Sequence, residues 1–199
     1  ESLRRAIGWA NFWDYPHNPP TLATDGYNGD DMIVRDVRLK RGSDGYHLAS
    51  APTAALADHV TRTHSLGDVE VAGTRDLDLR ESAYDLTCEI VWDAASPPTN
   101  VGLEICRAPG GGRHVATGAF LAGGFAYLNR RPTINPNGGE TQTPIDPSAG
   151  HLSLRILVDR TSVEVFIGDG RAVHSHRVFP LEGDNRIRLF SHDGTSTFR

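Results

Sequence analysis

The chain has 199 residues, room for one large or two small domains, with 38% hydrophobic and 23% charged residues, an ordinary globular balance. Its formal charge of −5, from 20 Lys and Arg against 25 Asp and Glu, comes without a long basic run and argues against nucleic acid and anionic membrane surfaces as partners. No apolar run approaches the ~20 residues that span a bilayer, and 21 glycines with 12 prolines fit a turn-rich β protein.

The sequence opens at Glu1 with no Met and no visible leader, as expected of a mature chain or a fragment. Residues 7–15 (IGWANFWDY) are dense in aromatics, and a Pro-rich loop and a turn-rich stretch follow over 16–20 and 24–31. Met32, Val34, Val37 and Leu39 suggest one irregular strand, and residues 45–48 another. Residues 52–64 read as a short helix or linker, since Ala54, Ala55, Leu56 and Ala57 favour helix. From residue 67 onward, strands and turns alternate every 8–12 residues or so, the rhythm of a sandwich. The predicted strands cover 76–79, 84–92, 101–107, 120–129, 152–158, 163–167, 172–179 and 186–191. Residues 133–148, with Pro136, Pro144 and Pro147, read as a long loop, and 195–199 as the start of a last strand cut short.

Cys88 and Cys106 fall in the strands 84–92 and 101–107, expected to be neighbours. Pairing their apolar faces sets Cys88 opposite Ile105 and turns Cys106 away, which favours free thiols; a β-bulge would restore a bridge. Two cysteines alone make no tetrahedral metal site.

The register is best defined in the stretch 152–180. Leu152, Leu154, Ile156 and Val158 alternate with Ser153, Arg155 and Leu157; Val163, Val165 and Ile167 alternate with Glu164 and Phe166. A turn centred on Arg160-Thr161 sets Val158 opposite Val163, Ile156 opposite Val165 and Leu154 opposite Ile167, so the apolar side chains share one face. Gly168-Asp169-Gly170 supplies the second turn, because glycine takes positive φ without steric cost.

This stretch, LRILVDRTSVEVFIGDGRAVHSHRVFP, resembles the C-terminal β-sandwich of glycoside hydrolase family 32, the family of invertases, inulinases, levanases and related fructosyltransferases. The resemblance rests on Asp159, Ser162, Val163, Glu164, Phe166, Asp169-Gly170 and Phe179-Pro180. It extends upstream: IGWANFWDY is similar to the family's tryptophan motif late in its five-bladed catalytic propeller. Arg35, Leu39, Asp44-Gly45, Leu48 and Pro52 fall where that propeller closes, with Val34-Arg35-Asp36 in place of the usual Pro-Arg-Glu. Ala126 to Arg131 matches a strand ending in Asp-Arg, with Asn129 replacing Asp. The implied fold is all-β: a two-sheet antiparallel β-sandwich preceded by strands that complete a five-bladed β-propeller. Residues 1–51 would be the last propeller strands, 52–66 a linker and 67–199 the sandwich.

The resemblance also implies a retaining mechanism with carboxyl groups about 5 Å apart. The family's three carboxylates lie in Trp-Met-Asn-Asp-Pro, Arg-Asp-Pro and Glu-Cys motifs, none of which occurs here. Arg35-Asp36-Val37, Cys88-Glu89 and Glu104-Ile105-Cys106 do not match. No catalytic residue is therefore expected in this chain, and no cofactor or metal. The implied partners are the missing N-terminal propeller portion, as a separate or nicked chain, and a fructan or sucrose-type carbohydrate. An extracellular location follows from the resemblance alone.

Trp9 is the leading candidate for substrate binding. The resemblance sets it against the fructosyl unit, where an indole face would receive the sugar's C–H surface, with Asn11 as a hydrogen-bonding companion; a propeller-core tryptophan is the alternative. His174 and His176 share a strand face and could hold a metal with a third ligand, against a reading as exposed histidines. Residues 25–31 superficially resemble a calcium loop but have Asp30 where the sharp-turn glycine belongs, which favours a plain turn. Asp159 and Glu164 read as a turn cap and an outward strand residue. Trp92, Phe125 and Tyr127 read as core unless exposed to sugar, and Arg113, Arg130, Arg131 and Arg155 as solvated or ion-paired. Two other functions stand beside the enzyme reading: a free carbohydrate-binding, lectin-like sandwich and a purely structural module.

Overall fold

The computed structural model describes residues 4–10, 19–42, 45–131 and 139–199. The chain begins with short strands β1 (Arg4–Ala6) and β2 (Trp9–Ala10), helix α1 (Pro20–Thr24), β3 (Asp30–Asp31) and the long pair β4 (Arg35–Gly42) and β5 (Gly45–Pro52). β1, β4 and β5 form a three-stranded antiparallel sheet, and β2 pairs with β3. Of the predicted irregular strand over 32–39, only 35–39 is strand, within β4; residues 32–34 separate it from β3. Residues 52–64 contain a 3₁₀ turn, Ala54–His59, rather than an α-helix.

The rest is β6 (Val69–Arg80), β7 (Tyr84–Trp92), β8 (Asn100–Arg107), β9 (Val115–Phe120), β10 (Phe125–Asn129), β11 (Glu140–Pro144), β12 (His151–Val158), β13 (Ser162–Ile167), β14 (Ala172–Arg177) and β15 (Arg186–Phe198). These ten strands are hydrogen-bonded continuously in the order β11-β10-β9-β8-β15-β7-β12-β13-β14, with β6 on β15. β15 folds this sheet into a sandwich. Its first half pairs with β8 through Leu189↔Leu103, its second half with β7 through Thr197↔Val91, and β6 follows it across a register shift between Ser191 and Thr195. One layer is β11-β10-β9-β8 and the other β7-β12-β13-β14, joined along the β6–β15 ribbon. A bulge with locally increased twist is how a strand passes from one packed sheet to the other.

Ile90, Leu103, Ile105, Leu128, Ile156, Val163 and Val165 are fully buried between the layers; each such side chain contributes about 1.5–3 kcal/mol of transfer free energy. The alternation read over 152–167 appears in the observed register, Leu154↔Ile167, Ile156↔Val165 and Val158↔Val163. Asp159 accepts from the Arg160 N–H at 2.7 Å and its own N–H reaches the Ser162 carbonyl at 3.0 Å, which closes the turn.

Several expectations are corrected. β7 and β8 are not paired: Cys88 lies opposite Leu154 and Ile105 opposite Val115. The favoured expectation of free thiols holds all the same: neither cysteine is bridged, and burial pushes both up to about 12. The single strand expected over 120–129 is two, because a 3₁₀ turn and Gly124 at φ +69° reverse the chain. Residues 140–144, expected in a loop, form strand β11 on β10. Residues 195–199 are not a strand begun and cut short; 195–198 complete β15 and bridge to the second layer.

Candidate functional site

Trp9 stands on β2, whose pairing Trp9↔Asp31 ties it to β3. The indole lies against the backbone of Gly29, at φ +94°; a Cβ there would overlap Nε1 and Cε2 of the ring. A left-handed glycine is thus required both by the turn and by the ring packed on it. Within this chain the Trp9 side chain is exposed, at 57%. Asn11, Trp13 and Tyr15 lie outside the described residues.

The segment that carries Trp9 is held by the sandwich. Arg177 on β14 is only 2% exposed. It ion-pairs with Asp30 of β3, donates to Thr21 Oγ at 3.2 Å and stacks over Phe179 at 5.1 Å. Thr161 also donates to Asp30, at 2.8 Å. Glu164 on β13, 3% exposed, accepts from the Ile33 N–H at 2.6 Å and ion-pairs with Arg35, which also donates to Ser175 Oγ at 2.6 Å. The Arg35 guanidinium lies over the Phe166 ring at 5.5 Å. Met32 N–H then donates to the Gly8 carbonyl at 2.7 Å, one residue from Trp9. A carboxylate and a guanidinium buried together are tolerable because each is paired and hydrogen-bonded.

The turn glycine completes the junction. Gly170 accepts from the Ser50 N–H at 2.9 Å, and a Cβ on Gly170 would overlap the Ser50 carbonyl oxygen. The stretch singled out by sequence pattern is therefore the surface that receives residues 19–52. Glu164 is structural, as expected, but faces this junction rather than solvent. Asp30, in the loop that only superficially resembles a calcium site, is spent on Arg177 and Thr161. Arg177, Ser175 and the role of Gly170 were not foreseen. Gly170 carried a signal as a turn glycine; Arg177 and Ser175 carried none, because their partners lie more than a hundred residues upstream.

His174 and His176 are not exposed, as one reading had it, but 6% and 8% accessible. They point between the layers, opposite Val165 and Val163. His174 Nε2 meets Thr143 Oγ at 2.7 Å and His176 Nε2 meets Thr141 Oγ at 3.1 Å. With Arg130 donating to the Arg177 carbonyl at 2.9 Å, these contacts close the edge of the sandwich opposite the β6–β15 ribbon. Burial, reinforced by the charge of Arg130, lowers His176 to about 4, and burial lowers His174. Among the described residues no group of three His, Cys, Asp or Glu is arranged to hold a metal ion.

The arginines are dispersed and partnered: Arg155 clamps Asp85 at 2.9 and 2.7 Å, and Arg113 clamps Asp184 at 3.0 and 2.8 Å. Trp92 is core, its Nε1 donating to the Pro147 carbonyl at 2.9 Å. Tyr127 is buried, at 7% accessibility, and Phe125 is half-buried, but neither belongs to the cluster between the layers. They stand on the outer face, since the alternate residues Ala126 and Leu128 enter the core.

The model of glycosyl hydrolases family 32, C terminal, matches residues 53–199. A levanbiose-producing levanase from Bacillus subtilis (strain 168) is 37% identical over 98% of this chain and 38% of its own length. A sucrose-6-phosphate hydrolase from Escherichia coli is 40% identical over 100% of this chain and 39% of its own length. The chain thus spans well under half of the relatives it matches. Among solved structures, exo-inulinase from Aspergillus awamori shares the fold with a TM-score of 0.79 at 21% identity, over 98% of this chain and 40% of that one.

Proposed function

From the premise that this chain belongs to glycosyl hydrolases family 32 through its C-terminal region, we propose that it is the C-terminal portion of a retaining fructan- or sucrose-active glycosidase or fructosyltransferase. Residues 1–51 are the last strands of its catalytic propeller, 52–66 the linker and 67–199 the sandwich. The carboxylates that attack and protonate the glycosidic bond belong to the preceding part, and Trp9 and Asn11 complete the fructosyl site. The observation that carries the reading is the junction: Glu164, Arg177 and Gly170 hold the strands behind an exposed Trp9. In this role the sandwich fixes the position of a substrate platform, which matters because misplacement of about 1 Å at a site costs orders of magnitude in rate.

The partner is the polypeptide that supplies the remaining blades. Leu39, Tyr46 and Leu48 of the β4–β5 pair are 60%, 69% and 64% exposed, the surface such blades would cover. We place the enzyme outside the cell, where fructan polymers are met; the name of one relative, an extracellular exo-inulinase from Aspergillus awamori, agrees.

The test compares fructose release from sucrose, inulin and levan by this chain alone and by the same chain joined to its preceding segment. Activity is expected only in the joined form. Release by the chain alone, or none by the joined form, refutes the proposal. In the joined form Trp9→Ala is expected to lower kcat/KM by about tenfold or more, the worth of one stacked ring.

A further inference from the structure

The outer face of the layer β11-β10-β9-β8 carries a row of rings. Phe125 and Phe120 are 5.4 Å apart between centroids, Phe125 and Tyr127 6.4 Å, and Phe190 and His192 are stacked at 5.0 Å. Between Tyr127 and Phe190 the floor is kept flat by Gly118 and Gly102, which face each other across β8 and β9. A Cβ on either would overlap the backbone of the opposite strand. This face turns away from the β13–β14 surface that receives residues 19–52.

At the end of the row, where β15 bends from one layer to the other, lies an open cavity of about 580 Å³. Its wall is a line across three strands: Phe120 on β9, Asn100 on β8 and His192 on β15 are direct cross-strand partners. Two interstrand steps set the two flat rings about 10 Å apart with an amide between them. Phe120 is 37% exposed. Asn100 Oδ1 accepts from the Tyr127 hydroxyl at 3.1 Å, which fixes the amide and leaves its Nδ2 donors without a partner among the described residues. Thr99 donates to Asp193 Oδ2 at 2.7 Å, which leaves Oδ1 as an acceptor. Asp193 holds φ +58° at the bend, a left-handed conformation that aspartate tolerates better than most residues.

We propose that this cavity is an accessory binding site for a neutral saccharide of one or two units. The volume lies within the range of small-molecule sites. Phe120 and His192 offer apolar plates for a sugar's C–H faces. The fixed amide donor and carboxylate acceptor suit adjacent hydroxyls, one accepting and one donating. Among the described residues no Lys or Arg lines the cavity, which disfavours phosphates and other anions, and the one carboxylate among them, already tied to Thr99, is too few oxygen ligands for a divalent cation. The saccharide is a fructoside, an assignment that rests on the function proposed above.

The experiment is an amide-resolved NMR titration of the full chain with sucrose, levanbiose, glucose and maltose. Sucrose or levanbiose is expected to shift the signals of Asn100, Phe120, His192 and Asp193 saturably. Phe120→Ala is expected to weaken binding about tenfold. Should that variant fold poorly, Asp193→Asn keeps a residue suited to the left-handed backbone and removes the charged acceptor; it is expected to weaken binding as well. Saturable shifts with glucose or maltose and not with the fructosides would uphold the cavity and sink its fructoside assignment. Absence of shifts at these residues with all four sugars up to about 50 mM, an affinity too weak to matter, overturns the site, as do shifts confined to the surroundings of Trp9.

Discussion

The two outer faces of the sandwich are built from the same alternating strands, yet they have opposite characters. The β13–β14 face is polar and closed: Glu164, Ser175 and Arg177 are used up by Ile33, Arg35 and Asp30. The β8–β9–β10 face is aromatic: Tyr127 and Phe190 are buried on it, at 7% and 4%, and Phe120 at its rim borders an open cavity. A strand's outward residues alone do not say which kind of face they make. Charged outward residues, with Phe166 beside them, became the buried junction because a partner from far upstream neutralises them. Polarity therefore misleads as a guide to docking when pairs are complete, since a satisfied ion pair is compatible with burial and a lone charge is not.

The sharpest way to break the contrast is to unpair the closed face. Glu164→Ala removes the acceptor of both Ile33 N–H and Arg35 and is expected to cost about 3–5 kcal/mol, the usual result of stranding a buried charge. Chemical denaturation gives the loss. Hydrogen exchange should show Met32 and Ile33 exposed well before the core strands; an unchanged exchange pattern would mean that the junction does not hold the Trp9 segment.

Substitution of the turn glycines probes the same face by shape instead of charge. Gly170→Ala sets a methyl group into the Ser50 carbonyl at φ +78°, whereas Gly168→Ala meets nothing at φ +55°. The second change is expected to cost about 1 kcal/mol of backbone strain and the first about 2 kcal/mol more, from overpacking. Equal losses in thermal unfolding would show that Gly170 matters only as a turn.

The smallest expected effect lies at the seam between the layers. His176 stays neutral down to about 4 in the folded chain, against 6.5 as its ordinary value. Between those values the unfolded chain binds the extra proton, so stability is fully present above about pH 6.5 and declines as pH falls towards 4. The loss from this residue is expected to be about 1–3 kcal/mol, with His174 adding in the same direction. His176→Gln should flatten that part of the stability-versus-pH curve; an undiminished slope would place its origin elsewhere.

Strand existence was legible wherever period-two alternation coincided with strong turn chemistry. The register of β12 and β13 followed from counting, because a one-residue slip would have turned Val163 and Val165 to the wrong face. The boundaries of β7 followed from its flanking turns. β11 was not legible: its residues, Glu-Thr-Gln-Thr-Pro, have no apolar alternation, and they form a strand because β10 offers an unpaired edge. The inward threonines of that strand explain the error over His174 and His176. Buried histidines whose partners are threonine hydroxyls at the sheet edge look, in sequence, like an exposed polar strand. Trp9 stood out through its motif; the residues that hold its segment carried no such signal.

The sequence by itself determined the all-β class, the hairpins and the family, because these depend on alternation, turn residues and local motifs. Only the tertiary structure decided which strands share a layer, how β15 serves both, which outer face is covered and where the aromatic cavity opens. Those choices rest on contacts such as Ile33 to Glu164, 131 residues apart, and on loop closures whose entropic cost barely grows with length. Local pattern cannot select among such partners; packing and the pairing of buried charges do.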